Sequence, residues 1–538
     1  MNNLELPPLD RVLASLGEYV AIPSDSRNAD PDTMRRAADW IARQLDFAAG
    51  RVEETGGHPV VCGEWLGAPG APTVLVYGHY DVQPTGDESE WLSPPFLLTV
   101  DRTHDGDIAR GRGASDDKGP VFLVVAMLRA AIEQRGGLPL NVKFLIEGEE
   151  EIGSPHLPDY VRQHARELAC DLVISADGAQ WRPDEPSLSV ASKGLVAFTI
   201  TVEGARDDLH SGRYGGTVAN PVHALAAILA SLHTPDGEVA VPGFYDGVTP
   251  PSAQRRAQLD AVPFDDDRFA ADLGVPETYG EHGYSTLQRL WERPTLEVNG
   301  VTGGGRYTVI PHLAKAFVSC RLVGDQDPQR VLHAVQSHLE RLETPGVRVT
   351  VDQDGGAVPA YRIDPAHPAI AAATEALLAV YPDQEVLLAV IAGTLPATTL
   401  FEQVIGAKTL FFSFSTADEK LHAPNEFLRL RRIHEGMRAW DALLISMADG
   451  PHRLQPVTRP LTQPGRLPER APAQQWPPTV SRNRARPSTT SPPGWSATGS
   501  PTRRSPRCSA ATLCGRWPKS GPLKTQPELR NAAQTKPD

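Results

Sequence analysis

The stretch that most constrains the fold is Val74–Pro84, which reads VLVYGHYDVQP. Its first four residues form a β-branched and aromatic run that is typical of a buried strand, and Gly78 interrupts it. His79 and Asp81 follow two residues apart, and side chains at that spacing in an extended chain point to the same side. A carboxylate in this position can fix the tautomer of a metal-binding histidine. Taken alone, the pair is better explained as a polar surface loop, so the rest of the chain must decide.

The same sequence of strand, polar loop and helix recurs downstream. Gly111–Pro120 (GRGASDDKGP) is a glycine-punctuated loop that leads into an apolar helix. The strand Val142–Ile146 runs into the acidic loop Glu147–Ser154, and the strand Leu172–Ile174 ends shortly before Asp177. This alternation predicts an α/β fold with a mostly parallel sheet. Such sheets bind ligands beyond the carboxyl ends of their strands, which is where these polar residues lie.

The pattern changes for the middle of the chain and then returns. After residue 187 the signals are those of a compact α+β insert, with a long polar, proline-bearing stretch between Leu232 and Pro294. The first pattern resumes near residue 365. We therefore predict a catalytic domain in two parts, residues 1–187 and 365–450, interrupted by an α+β domain over residues 188–364.

The last 88 residues differ from the rest in charge and composition. Residues 451–538 carry a net charge of +12 and 17 prolines, whereas residues 1–450 carry a net charge of −26. The proline-rich segment cannot bury enough apolar surface to offset its ordering entropy, so we predict a disordered tail. A solvated extension or a miscalled reading frame explains it better than a tail that binds nucleic acid or a partner. The acidic body does not favour nucleic acid, and we expect no nucleic-acid partner.

Cysteine usage and hydropathy predict the compartment. The five cysteines show no CxxC spacing and no paired framework, which is typical of a reducing environment. The first residues contain acids and no apolar core of a signal peptide, and no apolar run approaches the length of a membrane span. We expect a cytoplasmic protein without a membrane partner.

The polar residues expected near the strand ends form a metal-binding inventory. They are His79, Asp81, Asp116, Glu150, Glu151, Asp177 and His422. Imidazoles and carboxylates in this proportion suit zinc or a similar divalent ion. Two such ions about 3.5–4 Å apart would need a bridging carboxylate, and a further carboxylate could act as a general base. Each element also has a plain explanation, since adjacent aspartates can form a turn and an acidic run or a lone histidine can belong to a solvated loop.

Five motifs together carry a resemblance to a known family. GHYDVQP, GRGASDDKGP, EGEEEIGS, DLHSGRYGG and LHAPNE resemble the M20 family of metallopeptidases, in the branch of cytosolic non-specific dipeptidases, carnosinase-like enzymes and bacterial dipeptidases. The resemblance covers roughly residues 10–448, in the family's order and spacing. It implies two zinc ions per subunit (or Mn²⁺ or Co²⁺) at the carboxyl ends of the strands, and a homodimer formed through the inserted lid domain.

The resemblance also implies a role for each residue of the inventory. The metal ligands would be His79 and Asp177 for one zinc ion, Glu151 and His422 for the other, and Asp116 as the bridge. Asp81 would orient the first histidine through its second ring nitrogen. Glu150 would act as the general base towards a metal-bridging water and later as the proton donor. A cis peptide is expected between Asp116 and Asp117.

The insert supplies the expected substrate contacts. By resemblance, His210 would reach into the active site of the partner subunit and polarise the scissile carbonyl. Thr308 and Arg321 would hold the carboxylate of the substrate, assisted by Thr394. Arg321 could instead pair with acidic residues of the insert.

Two departures from the family's pattern concern the substrate pocket. Val390 and Ile391 stand where related dipeptidases usually carry an arginine and an acidic or small residue, and Asp354 stands where eukaryotic relatives show a histidine. The implied function is a di-zinc metallopeptidase that hydrolyses dipeptides or short peptides next to a free carboxylate. The alternatives are an N-acyl-amino-acid deacylase or related amidohydrolase, and a non-catalytic binding homologue, which should have lost metal ligands.

Overall fold

The computed structural model describes residues 4–449 and 451–455. The α-helices in this part of the chain are α1 (Leu9–Val20), α2 (Pro31–Gln44), α3 (Lys118–Arg135), α4 (Leu157–Gln163), α5 (Ser211–Tyr214), α6 (Pro221–Ala230), α7 (Ala253–Ala261), α8 (Asp266–Leu273), α9 (Thr286–Glu292), α10 (Pro328–Glu340), α11 (Pro368–Val380), α12 (Pro396–Val404) and α13 (Leu430–Asp449). The strands are β1 (Arg51–Glu53), β2 (Val60–Trp65), β3 (Thr73–His79), β4 (Thr99–Asp101), β5 (Ile108–Arg110), β6 (Asn141–Glu147), β7 (Leu172–Ser175), β8 (Ser187–Ser192), β9 (Gly194–Glu203), β10 (Leu209–His210), β11 (Thr295–Gly303), β12 (Val309–Ile310), β13 (Leu313–Leu322), β14 (Arg348–Val358), β15 (Tyr361–Arg362), β16 (Leu387–Ile391), β17 (Thr409–Phe411) and β18 (Phe427–Arg429).

A six-stranded sheet positions the candidate site. Its strand order is β1-β2-β6-β3-β7-β17, and β3 pairs in parallel with both β6 and β7. β17 is parallel to β7, whereas β2 is antiparallel to β6. This confirms the predicted α/β fold with a mostly parallel sheet. The pairing brings the carboxyl ends of three neighbouring strands, with His79, Glu147 and the approach to Asp177, to one edge.

Close packing between β3 and α3 explains the glycine that precedes His79. A Cβ atom on Gly78 would lie 2.4 Å from Cγ2 of Val121 and 2.5 Å from Oδ2 of Asp117. Real Cβ contacts are not this short, so only glycine allows the start of α3 to approach the strand. The helix is buried over most of its length because it also packs against α1 and α13.

The inserted segment builds a second sheet with its own core. Strands β11, β13, β9 and β14 pair in that order, all antiparallel, and α6 and α10 pack against them. The core contains Phe198, Ile200, Val318 and Val335 and is separate from the core of the first sheet. This supports the predicted interruption of one domain by another, whose bounds stay a prediction. β8, at the predicted start of the insert, packs with the first core.

Three helices occupy the stretch expected to be a polar insertion. α7, α8 and α9 each begin after a residue whose side chain accepts a hydrogen bond from a backbone N–H three positions on, namely Ser252, Asp265 and Ser285. Such caps favour helix initiation. α7 and α8 each bury a single residue, so their apolar periodicity is weak, whereas α9 is short and buries four of its seven residues. The caps were the sequence signal that all three helices share. None of the described helices combines the length and the apolar character needed to cross a membrane.

The described chain continues past the predicted start of the tail. Leu454 is only 4% exposed and packs in the first core, and its backbone N–H donates to the carbonyl of Met447. Residues 456–538, which make up most of the predicted tail, lie outside the described residues. The stretch up to residue 455 therefore contributes to the fold of the body.

Truncation should separate these two parts of the C-terminal segment. Removing residues 456–538 should leave the melting temperature unchanged, whereas removing residues 451–538 should lower the free energy of unfolding by about 2 kcal/mol because a buried leucine is lost. Denaturant unfolding of both truncated chains measures this. The full chain with Leu454→Ala serves as the matched control, and equal stability of the two truncations would contradict the assignment.

Candidate metal centre

His79 is oriented from both ring nitrogens. Its side chain is fully buried at the end of β3, and Nε2 lies 3.1 Å from Oδ1 of Asp116. Nδ1 lies 3.0 Å from the carbonyl oxygen of Asp81 and 3.4 Å from its carboxylate oxygen Oδ1. A proton on Nδ1 can be donated to Asp81, which leaves Nε2 free to bind an ion. The main-chain carbonyl of Asp81 is thus the nearer partner, where the sequence suggested its carboxylate.

The Asp81 carboxylate instead holds the acidic loop. Its Oδ1 accepts a hydrogen bond of 3.2 Å from the backbone N–H of Glu150, and its Oδ2 accepts one of 3.0 Å from that of Glu151. The carboxylate is completely buried. One aspartate therefore fixes both the first histidine and the main chain of the two glutamates.

Asp116 lies between two histidines. Its Oδ1 faces His79, and its Oδ2 lies 3.0 Å from Nε2 of His422. Burial alone would raise the pKa of Asp116, but the two imidazoles outweigh it and hold that pKa well below its usual range. A carboxylate that stays ionised and presents one oxygen to each side is what a bridging ligand requires.

Two overlapping groups of donors result. One consists of His79, Asp116 and Asp177, and the other of Asp116, Glu151 and His422; within each, the donor atoms lie within 4.8 Å of one another. Ligands of a tetrahedral zinc ion lie about 3.4 Å apart, given bond lengths near 2.1 Å, so both groups fit a divalent ion after small adjustments. The structure brings all five predicted ligands together, and their individual roles stay predictions.

The three consecutive glutamates point to different partners. Glu149 accepts hydrogen bonds from Nδ1 of His156, at 2.8 Å, and from the backbone N–H of His58, at 3.1 Å. Glu151 accepts one of 2.6 Å from the side chain of Gln83 and belongs to the second donor group. Glu150 is in neither arrangement, which agrees with its predicted role as a base rather than a ligand.

The buried carboxyl groups of the site repel one another, and a bound cation would stabilise their ionised forms. Burial raises the pKa of Glu151 to about 8 and that of Asp177 to about 6, and nearby carboxylates such as Asp116 add to both shifts. Burial also raises the pKa of Glu150 well above its ordinary value. Buried carboxylates that repel one another are stabilised in the ionised form by a bound divalent ion.

The connecting loops hold the ligands through their backbones. The Asp116–Asp117 peptide is cis, as the sequence resemblance implied. Asp117 is fully buried, and its Oδ2 accepts a hydrogen bond of 3.1 Å from the backbone N–H of His79. His422 adopts a left-handed conformation with φ of 62°, which is uncommon for a residue other than glycine and is often found at functional sites.

Sequence reasoning assigned no role to two residues that the structure places in contact with the ligands. Gln83 contacts Glu151, and Glu426 accepts a hydrogen bond from the backbone N–H of Asp116. Both lie inside motifs that the sequence singled out, GHYDVQP and LHAPNE. Their position inside those motifs was the sequence signal that could have assigned them to the site.

The predicted substrate residues fall into two places. Arg321, on β13, donates a hydrogen bond of 2.8 Å to Oγ1 of Thr394, which in turn donates to the carbonyl of Lys193 between β8 and β9. His210 and Thr308 lie at the exposed two-stranded ribbon β10–β12. Among the described contacts, neither forms a hydrogen bond or ion pair with the five metal-site residues of its own chain.

The fold and the donor groups together define a class of protein. Imidazoles and carboxylates at the carboxyl edge of a mostly parallel sheet, with a further carboxylate beside them, are the constituents of a metal-dependent hydrolase. Comparisons with known proteins agree with this class.

Residues 75–446 match the model of the peptidase family M20/M25/M40. A Cys-Gly metallodipeptidase of Schizosaccharomyces pombe is 30% identical over 458 residues, which are 80% of this chain and 94% of that protein. The beta-Ala-His dipeptidase of Homo sapiens is 28% identical over 478 residues, covering 82% and 90% of the two chains. The crystal structure of an M20 family metallo-carboxypeptidase from Sulfolobus solfataricus superposes with a TM-score of 0.70 at 29% identity, covering 81% of this chain and 98% of that one. The chain belongs to the peptidase family M20/M25/M40, as its motifs predicted, and is a metal-dependent hydrolase.

Substitution of Asp81 tests its contacts. Asp81→Asn should lower kcat by about 10- to 100-fold, because an NH2 group replaces one of the two accepting oxygens, cannot accept from the glutamate N–H that faces it, and lets the loop shift. Metal content at saturating metal should stay at the wild-type value, measured by elemental analysis. Asp87→Asn, an exposed aspartate whose carboxylate caps a short turn, is the control. A direct ligand role for Asp81 would appear instead as loss of an ion.

Proposed function

We propose that the protein is a di-zinc metallopeptidase that hydrolyses dipeptides or short peptides next to a free carboxylate. The observation that carries this is the position of Asp116 between the two histidines, with one carboxylate oxygen directed to each donor group. The Schizosaccharomyces pombe and Homo sapiens relatives described above are both named as dipeptidases, which supports the substrate class. When bound, the two divalent ions supply Lewis acidity at the scissile carbonyl and lower the pKa of water.

Glu150 is the proposed general base. Its backbone is fixed by Asp81, and burial raises the pKa of its carboxyl group, which favours the uptake of a proton. It removes the proton from the attacking water and returns it to the leaving amine. The ions would be held by His79, Asp177, Glu151 and His422, with Asp116 common to the two donor groups.

Arg321 and Thr394 are the proposed recognition site for the free carboxylate of the substrate. The guanidinium is held at 2.8 Å from the hydroxyl of Thr394, so its orientation is fixed before substrate binds. A planar guanidinium recognises a carboxylate through two parallel hydrogen bonds. Their contact also ties the inserted sheet to the loop that precedes α12.

The ribbon β10–β12 is proposed to act on the partner subunit of a homodimer. His210 is exposed, its ring accepts a hydrogen bond of 3.1 Å from the N–H of Gly212, and the carbonyl of Thr308 accepts from the backbone of Ser211. A histidine presented at the surface and away from its own metal centre is available to a second chain. There it stabilises the developing oxyanion, and Thr308 contributes to carboxylate binding.

We further propose a cytoplasmic location. The cysteines in the described residues, Cys62, Cys170 and Cys320, are all unpaired. Fractionation that recovers the protein outside the cytoplasm would contradict this.

Glu150→Gln should abolish turnover while both ions stay bound. The expected loss in kcat is about 100- to 10,000-fold, because the amide cannot take up the proton. Wild-type protein stripped by a chelator should be inactive and should recover with Zn²⁺, Co²⁺ or Mn²⁺. Glu149→Gln is the matched control, since Glu149 is bound to His156, and it should retain its metal and activity.

The assay substrates decide between the proposal and its rival. A panel of dipeptides and N-acyl amino acids is measured with each metal, and higher kcat/KM on the N-acyl compounds would favour a deacylase. Full activity of metal-free protein would exclude the metal-dependent mechanism. Loss of an ion from Glu150→Gln would show that Glu150 is a ligand.

Mixed dimers test the role of His210. His210→Ala should lower kcat by about 100-fold without loss of metal, as expected for an oxyanion-stabilising group. Mixing this variant with Glu150→Gln should restore activity, because one site of the mixed dimer then combines an intact base with an intact histidine from its partner. Mixtures as inactive as either variant alone would contradict action across the dimer.

A further inference from the structure

The carboxylate of Glu426 is surrounded by donors from the loop that ends in Asp116. Its Oε2 accepts hydrogen bonds of 2.8 Å from Nη1 of Arg112 and of 3.0 Å from the backbone N–H of Gly113. Its Oε1 accepts from the backbone N–H groups of Ser115, at 2.9 Å, and Asp116, at 3.0 Å. The side chain is completely buried, so water cannot replace these bonds.

Glu426 is equally tied to the loop that carries His422. It lies four residues beyond that histidine, and its own carbonyl accepts a hydrogen bond of 3.0 Å from the backbone N–H of Gly111. The loop contains three residues in the left-handed conformation, Lys420, His422 and Asn425. The Asn425 side chain bonds the backbone at Glu90 and at position 92. A loop in this conformation requires contacts that hold it.

We propose that Glu426 is a positioning residue for the metal centre, which sets the distance between Asp116 and His422. One carboxylate binds the main chain of the first ligand and belongs to the loop of the second, so neither moves without the other. Asp116 and His422 are two of the three donors in the group that also contains Glu151. The group around His79 contains only Asp116 of this pair. The inference rests on the metal centre proposed above.

The physical effect is preorganisation of a site whose ligands repel one another. Without the four hydrogen bonds, the N–H groups of residues 113, 115 and 116 lose a shared acceptor, and the loop is free to withdraw Asp116 from the crowded site. Ion binding would then have to restore the loop conformation, and the affinity for the ion falls accordingly.

The test measures metal affinity rather than activity alone. Glu426→Gln should weaken Zn²⁺ binding by about 10- to 100-fold, measured by competition against a chromogenic chelator, and should alter the visible spectrum of the Co²⁺-loaded protein. The ion in the group with Glu151 and His422 should be lost first. At saturating metal, KM should stay at the wild-type value.

A matched control separates positioning from stability. Glu281 is another buried glutamate bound to an arginine, Arg293, at 2.6 and 2.7 Å, and it lies in the insert. Glu281→Gln should lower the melting temperature and leave the Zn²⁺ dissociation constants unchanged. Wild-type Zn²⁺ affinity in Glu426→Gln would overturn the inference. If that variant does not fold, Glu426→Asp, which keeps the charge but is one methylene shorter, is judged by the same titration.

The two levels of the proposal fail in different ways. A wild-type protein that binds no divalent ion would refute the proposed function itself. A wild-type protein that binds two ions, together with a Glu426 variant that binds them equally well, would refute only the positioning role.

Discussion

Parallel pairing of β3 with β6 on one side and β7 on the other is the constraint on which the site depends. It places three strand ends side by side, so the residues that follow these strands lie close together as soon as the strands pair. The close approach of α3, possible because residue 78 is glycine, then brings Asp116 and Asp117 over the end of β3. The remaining donors come from loops that must be held by hydrogen bonds rather than by regular structure.

Those hydrogen bonds are made by buried carboxylates that do not themselves belong to the donor groups. Asp81 binds the main chain of the acidic loop, Asp117 binds that of His79, and Glu426 binds that of Asp116. Each of these hydrogen bonds fixes the main chain of a donor residue or of its neighbour in the loop. The carboxylates that face the centre are those of Asp116, Glu150, Glu151 and Asp177, and a divalent cation relieves their mutual repulsion.

The sequence predicted the parts of this arrangement that follow from strand periodicity and motif spacing. The strands and helices around the site lie close to their predicted positions, because buried β-branched runs and proline at the first helical turn are strong local signals. The partners of Asp81 and Glu426 could not be predicted, since they depend on which backbone N–H groups a side chain meets after folding. Sequence periodicity did not reveal α7 and α8 because each buries only one residue, nor α9 because it is only seven residues long. The end of the body was predicted before Leu454 because a single buried leucine gives no periodic pattern.

The distribution of donors along the chain has a consequence for biosynthesis. The group of His79, Asp116 and Asp177 lies entirely before the insert, whereas the second group needs His422, which is reached only after the insert has been translated. Domains generally fold in the order in which they leave the ribosome. A nascent chain can therefore assemble the first donor group before the second has been translated. During that time the loop of Asp116 lacks its hydrogen bonds to Glu426, which is translated only when the body is nearly complete.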